Sequence, residues 1–118
     1  MENFKRFVME FGFGIDSHGQ DPTNAAIKAV KDAISRVYII GLLELPIKDF
    51  KISAVIGVPH HKEVDIEKVK EAFPIKNNLT IEIREGGLID YGAMMEEFND
   101  KTNEILIAVC SITVSVSI

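Results

Sequence analysis

Residues 104–118, EILIAVCSITVSVSI, decide the fold. Every position from Ile105 to Val109 is apolar, so an extended segment there buries both of its faces. From Cys110 onward Ile112, Val114 and Val116 alternate with Ser111, Thr113, Ser115 and Ser117, leaving one apolar face and one lined by small hydroxyls. A strand with this pattern belongs in the middle of a sheet. Cys110, the one cysteine, reads as a small buried hydrophobe within it, because no histidine or asparagine lies beside it in the sequence.

Working outward, Phe4 to Phe13 alternate, with Phe7, Met9, Phe11 and Phe13 on one side and Arg6, Val8, Glu10 and Gly12 on the other. A second strand runs over Phe50–Val58 and a third over Leu79–Arg84, the latter closing at Gly86-Gly87. Between them lie two helical patterns. Asp21-Pro22 is a cap followed by a residue suited to the first helical position, and apolar residues from Ala26 to Val37 predict a helix over about Pro22–Ile39. Asp65 caps a shorter one with Ile66, Val69 and Phe73 inward, ended by Pro74. The order is therefore β-α-β-α-β-β in a single α+β domain over residues 1–118, with four strands and both helices on one face of the sheet. The uncovered face would carry Arg6, Val8 and Glu10 on strand one, or the opposite set, and such partly apolar surface marks a subunit contact. The link from Gly86 to Asn103 holds Tyr91, Met94, Met95 and Phe98, more apolar surface than a solvated loop needs, so part of it should pack or cover a site.

Composition excludes several partners. A net charge of −5 leaves no basic field for nucleic acid. The longest uncharged stretch, Ile105–Ile118, is too short to span a bilayer, and the opening MENFKRFVME lacks the apolar core of a signal peptide, so a cytoplasmic protein is expected. With 47% hydrophobic residues the chain can build a core without disulfides.

Chemistry, if present, centres on Gly12–Asp21, GFGIDSHGQD. Gly12, Gly14 and Gly19 allow close approach of a ligand to the backbone, while Asp16 and His18 lie on one side of an extended segment, about 7 Å apart along it. Asp21 stands at a helix start whose N–H groups, including those of Thr23 and Asn24, suit an anion. Arg84 on strand three is a candidate to hold an anionic group, beside Glu82. His60 and His61 are candidates to complete a metal site with Asp16 and His18; the alternative is a pair of solvated loop histidines. The dinucleotide pattern G-x-G-x-x-G is broken by Ser17, which excludes a Rossmann site.

Gly12, Gly14, Asp16, His18 and Gly19 match G-x-G-x-D-x-H-G, which resembles the signature of a small family of uncharacterised conserved proteins from bacteria and plants. The resemblance extends to DPTNAAIKAVKDAIS, VPHHKEVDIEKVKEAFP and the Gly86-Gly87 pair; it implies a site and no reaction. The element order is similar to that of monofunctional chorismate mutase, which implies a mixed sheet in order 1-4-2-3 and trimers with sites between subunits, without implying that reaction. The G-x-G-x-D-x-H string also resembles the zinc-binding opening of methylerythritol cyclodiphosphate synthase, whose later metal histidine has no match here. The expectation is a small-molecule enzyme with Asp16 and His18 as catalytic groups, Gly12, Gly14, Gly19, Asp21 and Arg84 as ligand-binding ones, and an intersubunit site. The alternative is a metabolite-binding or regulatory module using the same turn. Metal and cofactor are left open.

Overall fold

The alternating segments become strands of one mixed sheet in the computed structural model, which describes residues 3–117. The elements are β1 (Lys5–Asp16), α1 (Pro22–Ile34), β2 (Asp49–Val58), α2 (Ile66–Lys70), β3 (Leu79–Glu85), β4 (Leu88–Tyr91) and β5 (Glu104–Ser117), with short 3-10 turns at Ile39–Leu43, His61–Glu63 and Glu96–Phe98. The strand order is β1-β5-β2-β3, and the short β4 also pairs with β5. Only β2 and β3 run parallel. The strand that begins with the apolar run Ile105–Val109 is central, with β1 on one side and β2, then β4, on the other, although Val109 stays exposed on the uncovered face where burial of both faces was expected.

Five strands replace the expected four, and the reason lies at Gly86-Gly87. These residues carry the chain from β3 across the end of β2, so that β4 takes up the place beside β5 that β2 vacates after Val58. Gly87 has φ +70°, and a Cβ there would sit 2.0 Å from the Ile107 carbonyl oxygen. Four residues are too few to announce a strand by alternation; β4 exists because β5 is long enough to offer it a partner.

The helices cover one face. Ala25, Ala26, Ala29, Val30 and Ala33 of α1 pack on the inward side of β1 and β5, and Val69 of α2 joins the same core with Phe73, α2 lying against α1 and β3. Helix α1 stops at Ile34 instead of about Ile39, because the Ser35 hydroxyl donates to the Asp32 carbonyl (2.7 Å) and diverts the last turn. Ile66 is exposed where an inward position was expected, since α2 is a single turn and only Val69 reaches the core.

The covered face of β1 is the one without the large residues. A Cβ on Gly12 would lie 2.4 Å from the Ala33 nitrogen, and one on Gly14 would lie 2.4 Å from the Ala25 oxygen. Helix and strand backbones touch there, which only glycine allows. Phe11, Phe13 and Ile15 consequently point to the uncovered face. A bulge between Arg6 and Val8 breaks the alternation at Phe7, which lines a recess with Val8, Val37 and Tyr38. Among the described residues no helix is long and apolar enough to cross a membrane.

Candidate functional site

The carboxyl end of β1, the turn to α1 and the loop before β5 meet around a polar cleft of about 640 Å³. Asp16 and His18 both line it, with Asp21, Lys68, Phe98 and Lys101. Their roles in the geometry differ.

Asp16 is 4% exposed and holds the turn. One oxygen accepts the Asp21 N–H (2.6 Å) and the other accepts the Asn24 side-chain amide (3.0 Å). Asp21 in turn caps α1 by accepting the Thr23 N–H at 2.9 Å, and its carbonyl accepts the Ala25 N–H (3.1 Å), so of the two expected anion donors Thr23 is occupied. The Thr23 hydroxyl accepts the Asp65 N–H (2.9 Å), tying the second cap to the first.

His18 is paired with a residue that sequence reasoning missed. Its Nδ1 lies 3.0 and 3.1 Å from the two oxygens of Asp100, whose side chain is fully buried. Asp100 also accepts the N–H groups of Gly19 (3.1 Å) and Met95 (2.6 Å). Burial works to raise the Asp100 carboxyl, but the Met95, His18 and Gly19 donors outweigh it and hold its pKa below the ordinary value. The imidazole is 44% exposed and leans on Phe98, with ring centroids 4.7 Å apart, and its Nε2 has no protein partner among the described residues. A buried carboxylate on Nδ1 fixes the ring and the tautomer with the proton on that nitrogen, leaving Nε2 able to accept one.

Gln20 locks the two halves together. Its side-chain oxygen accepts the N–H groups of Lys101 (2.6 Å) and Thr102 (3.2 Å), and its amide donates to the Glu104 carbonyl (3.1 Å). The expected packing of the 86–103 link over the site is met by Phe98 and Asp100. The one signal for Asp100 was that link's apolar content; its carboxylate, some 80 residues from His18 in the chain, had no local mark.

The remaining candidates lie elsewhere. Gly12 and Gly14 serve the α1 contact, while Gly19 is in the site through its N–H. Arg84 is outside this cleft, pairing with Glu82 on β3 and bordering a recess with Phe11, Phe13 and Val109. His60, in a left-handed conformation, pairs with Glu104 (3.0 Å), and His61 pairs with Glu85 (2.9 Å). The Glu104 contact raises the His60 pKa, and the His61 contact lowers that of Glu85. Neither histidine joins Asp16 and His18, and among the described residues no three His, Cys, Asp or Glu side chains are grouped to hold a metal ion. Burial pushes the Cys110 thiol up to about 12, in keeping with a core position.

The comparisons with known proteins agree with this picture of a fold without an assigned reaction. No curated protein matches the chain. An FtsZ-like protein of unknown function from Nostoc punctiforme PCC 73102, with a crystal structure at 1.22 Å resolution, is 35% identical over 100% of both chains and superposes with a TM-score of 0.84. A family model described as conserved hypothetical protein (Lin0512_fam) matches residues 6–114, and the chain belongs to that family.

Proposed function

We propose that the chain is a small-molecule enzyme of the cytoplasm in which His18 exchanges a proton with its substrate through Nε2. The observation that carries this is the His18–Asp100 pair: a half-exposed imidazole held on a fully buried carboxylate at the edge of a polar cleft. A histidine kept only for packing does not need a carboxylate stripped of water beneath it. Asp100 acts as the positioning residue. Asp16 orders the turn that carries His18, each of its oxygens accepting one hydrogen bond from that turn.

Lys68 and Lys101 border the same cleft and would take an anionic group on the substrate, beside a helix start whose Thr23 donor is already occupied. Gly19 and Asp21 would border the bound molecule. In this reading the working unit is a homo-oligomer, with the chorismate-mutase-like trimer as the arrangement that would let a neighbouring copy close the cleft.

A thermal-shift screen of small carboxylates and phosphate esters tests the proposal. A stabilising compound should lose about tenfold in affinity with Lys101→Ala. If it is turned over, His18→Ala should cost on the order of 100-fold in kcat, with binding retained. A ligand that stabilises wild type, His18→Ala and Lys68→Ala/Lys101→Ala equally would place its site elsewhere and end the proposal.

A further inference from the structure

The uncovered face of the sheet carries a ridge beside a trough. Met9, Phe11, Phe13 and Ile15 of β1 stand exposed, Phe11 and Phe13 at 61% and 58%. Across the register, Phe11 faces Ser111 and Met9 faces Thr113, and on the next strand Ser111 faces Val55 and Thr113 faces Ser53. Large apolar residues on the edge strand thus flank a floor of small side chains on β5 and β2. With roughly 150–250 Å² for a whole aromatic side chain, the two phenylalanines expose about 100 Å² each, and the complete ridge with Val109 exposes about 400 Å². That lies within the roughly 300–600 Å² of a monomer's largest apolar patch, which is often functional.

The edge of β1 itself is closed to strand pairing along this ridge. The Phe13 N–H donates to Asp32 (2.9 Å), the Ile15 carbonyl accepts from Lys28 (3.0 Å), and the Phe11 carbonyl accepts from Arg36. These three side chains are spaced four apart along and just past α1, so one helix face occupies three of the backbone groups that another chain's strand would need and lies across the edge. What remains available is the face.

We infer that a second copy of this chain packs on the uncovered sheet face, the Met9–Ile15 ridge of each copy seated in the Ser111–Thr113 trough of the other. A twofold contact requires one surface to hold both halves of the fit, and this one does. The ridge supplies about half of the roughly 800 Å² per partner of a standard interface, and the trough with its polar rim has to supply the rest. The inference stands apart from the reading of His18, which concerns the opposite side of the sheet.

The test is the mass of the full chain by light scattering, alongside Phe11→Glu and Phe13→Glu, with far-UV circular dichroism to check that each variant folds. The expected result is that both variants fold and have about half the mass of the wild-type assembly, whichever contact closes the cleft. Carbene footprinting of the unmodified chain supplies a second readout that needs no variant: Phe11, Phe13 and Val109 should label several-fold less at high concentration than on dilution. A wild-type chain that stays monomeric, a wild-type mass that survives both glutamates, or labelling that ignores concentration would each overturn the inference. So would a monomer that binds lipid vesicles through these residues.

Discussion

Gly14 and Asp16, two residues apart, set the site by different means. Gly14 brings α1 into backbone contact with β1, and Asp16 then reaches the first turn of that helix. Gly14→Ala should therefore cost about 3 kcal/mol of stability, at the upper end of what overpacking does, because the atoms it meets are helix backbone and cannot step aside. The urea midpoint reads this directly; a variant as stable as wild type would show that α1 does not sit this close. Asp16 and His18 were legible in the sequence as a polar pair between glycines, but their division of labour was not. Which one spends its oxygens on the turn and which keeps a nitrogen free depends on Asp100 and Asn24, and no spacing rule supplies those.

At the scale of elements, the signals that succeeded were periodic or capping ones. β1, β2, β3 and β5 follow their alternation, and both helices begin at the aspartates that cap them. The failures occurred where an element owes its existence to a neighbour. β4 is four residues long and is held by β5, and the crossing that delivers it rests on Gly87. Gly87→Ala should cost about 2–3 kcal/mol, from the positive φ and from the overlap with the Ile107 carbonyl. Hydrogen exchange should then show the Leu88–Tyr91 amides losing protection while those of β1 keep theirs. Equal protection in the variant would mean that β4 does not depend on the crossing. The short helix α2 shows the same dependence, since one turn buries Val69 and leaves Ile66 in water.

For the whole molecule, the ion pairs set how stability responds to pH. Asp100 and Glu85 have folded pKa values below their ordinary 3.8 and 4.5, so what they contribute is present above that range and is lost as pH falls through the lowered values. His60 is raised above 6.5, so the Glu104 pair contributes fully below that value and fades as pH climbs through the raised one. The expected profile of urea midpoint against pH is highest between these limits, with an acid limb that Asp100→Asn flattens and an alkaline shoulder that His60→Ala removes. An acid limb unchanged in Asp100→Asn would show that the Met95, His18 and Gly19 donors do not hold the Asp100 carboxylate in solution.

The division between what the chain alone determined and what folding decided follows from the range of the forces. Alternation, caps and the apolar run at Ile105–Val109 are local or one-strand properties, so the α+β class, the helix starts and the central place of β5 could be read directly. Which face of β1 is covered could not, because its phenylalanines promise more burial energy than its glycines. The glycine side faces inward because it alone admits the alanine surface of α1 at backbone contact, and that preference is a property of two elements together. The partnership of His18 with Asp100 was decided the same way, by a loop that reaches the site only after the sheet has formed around β5.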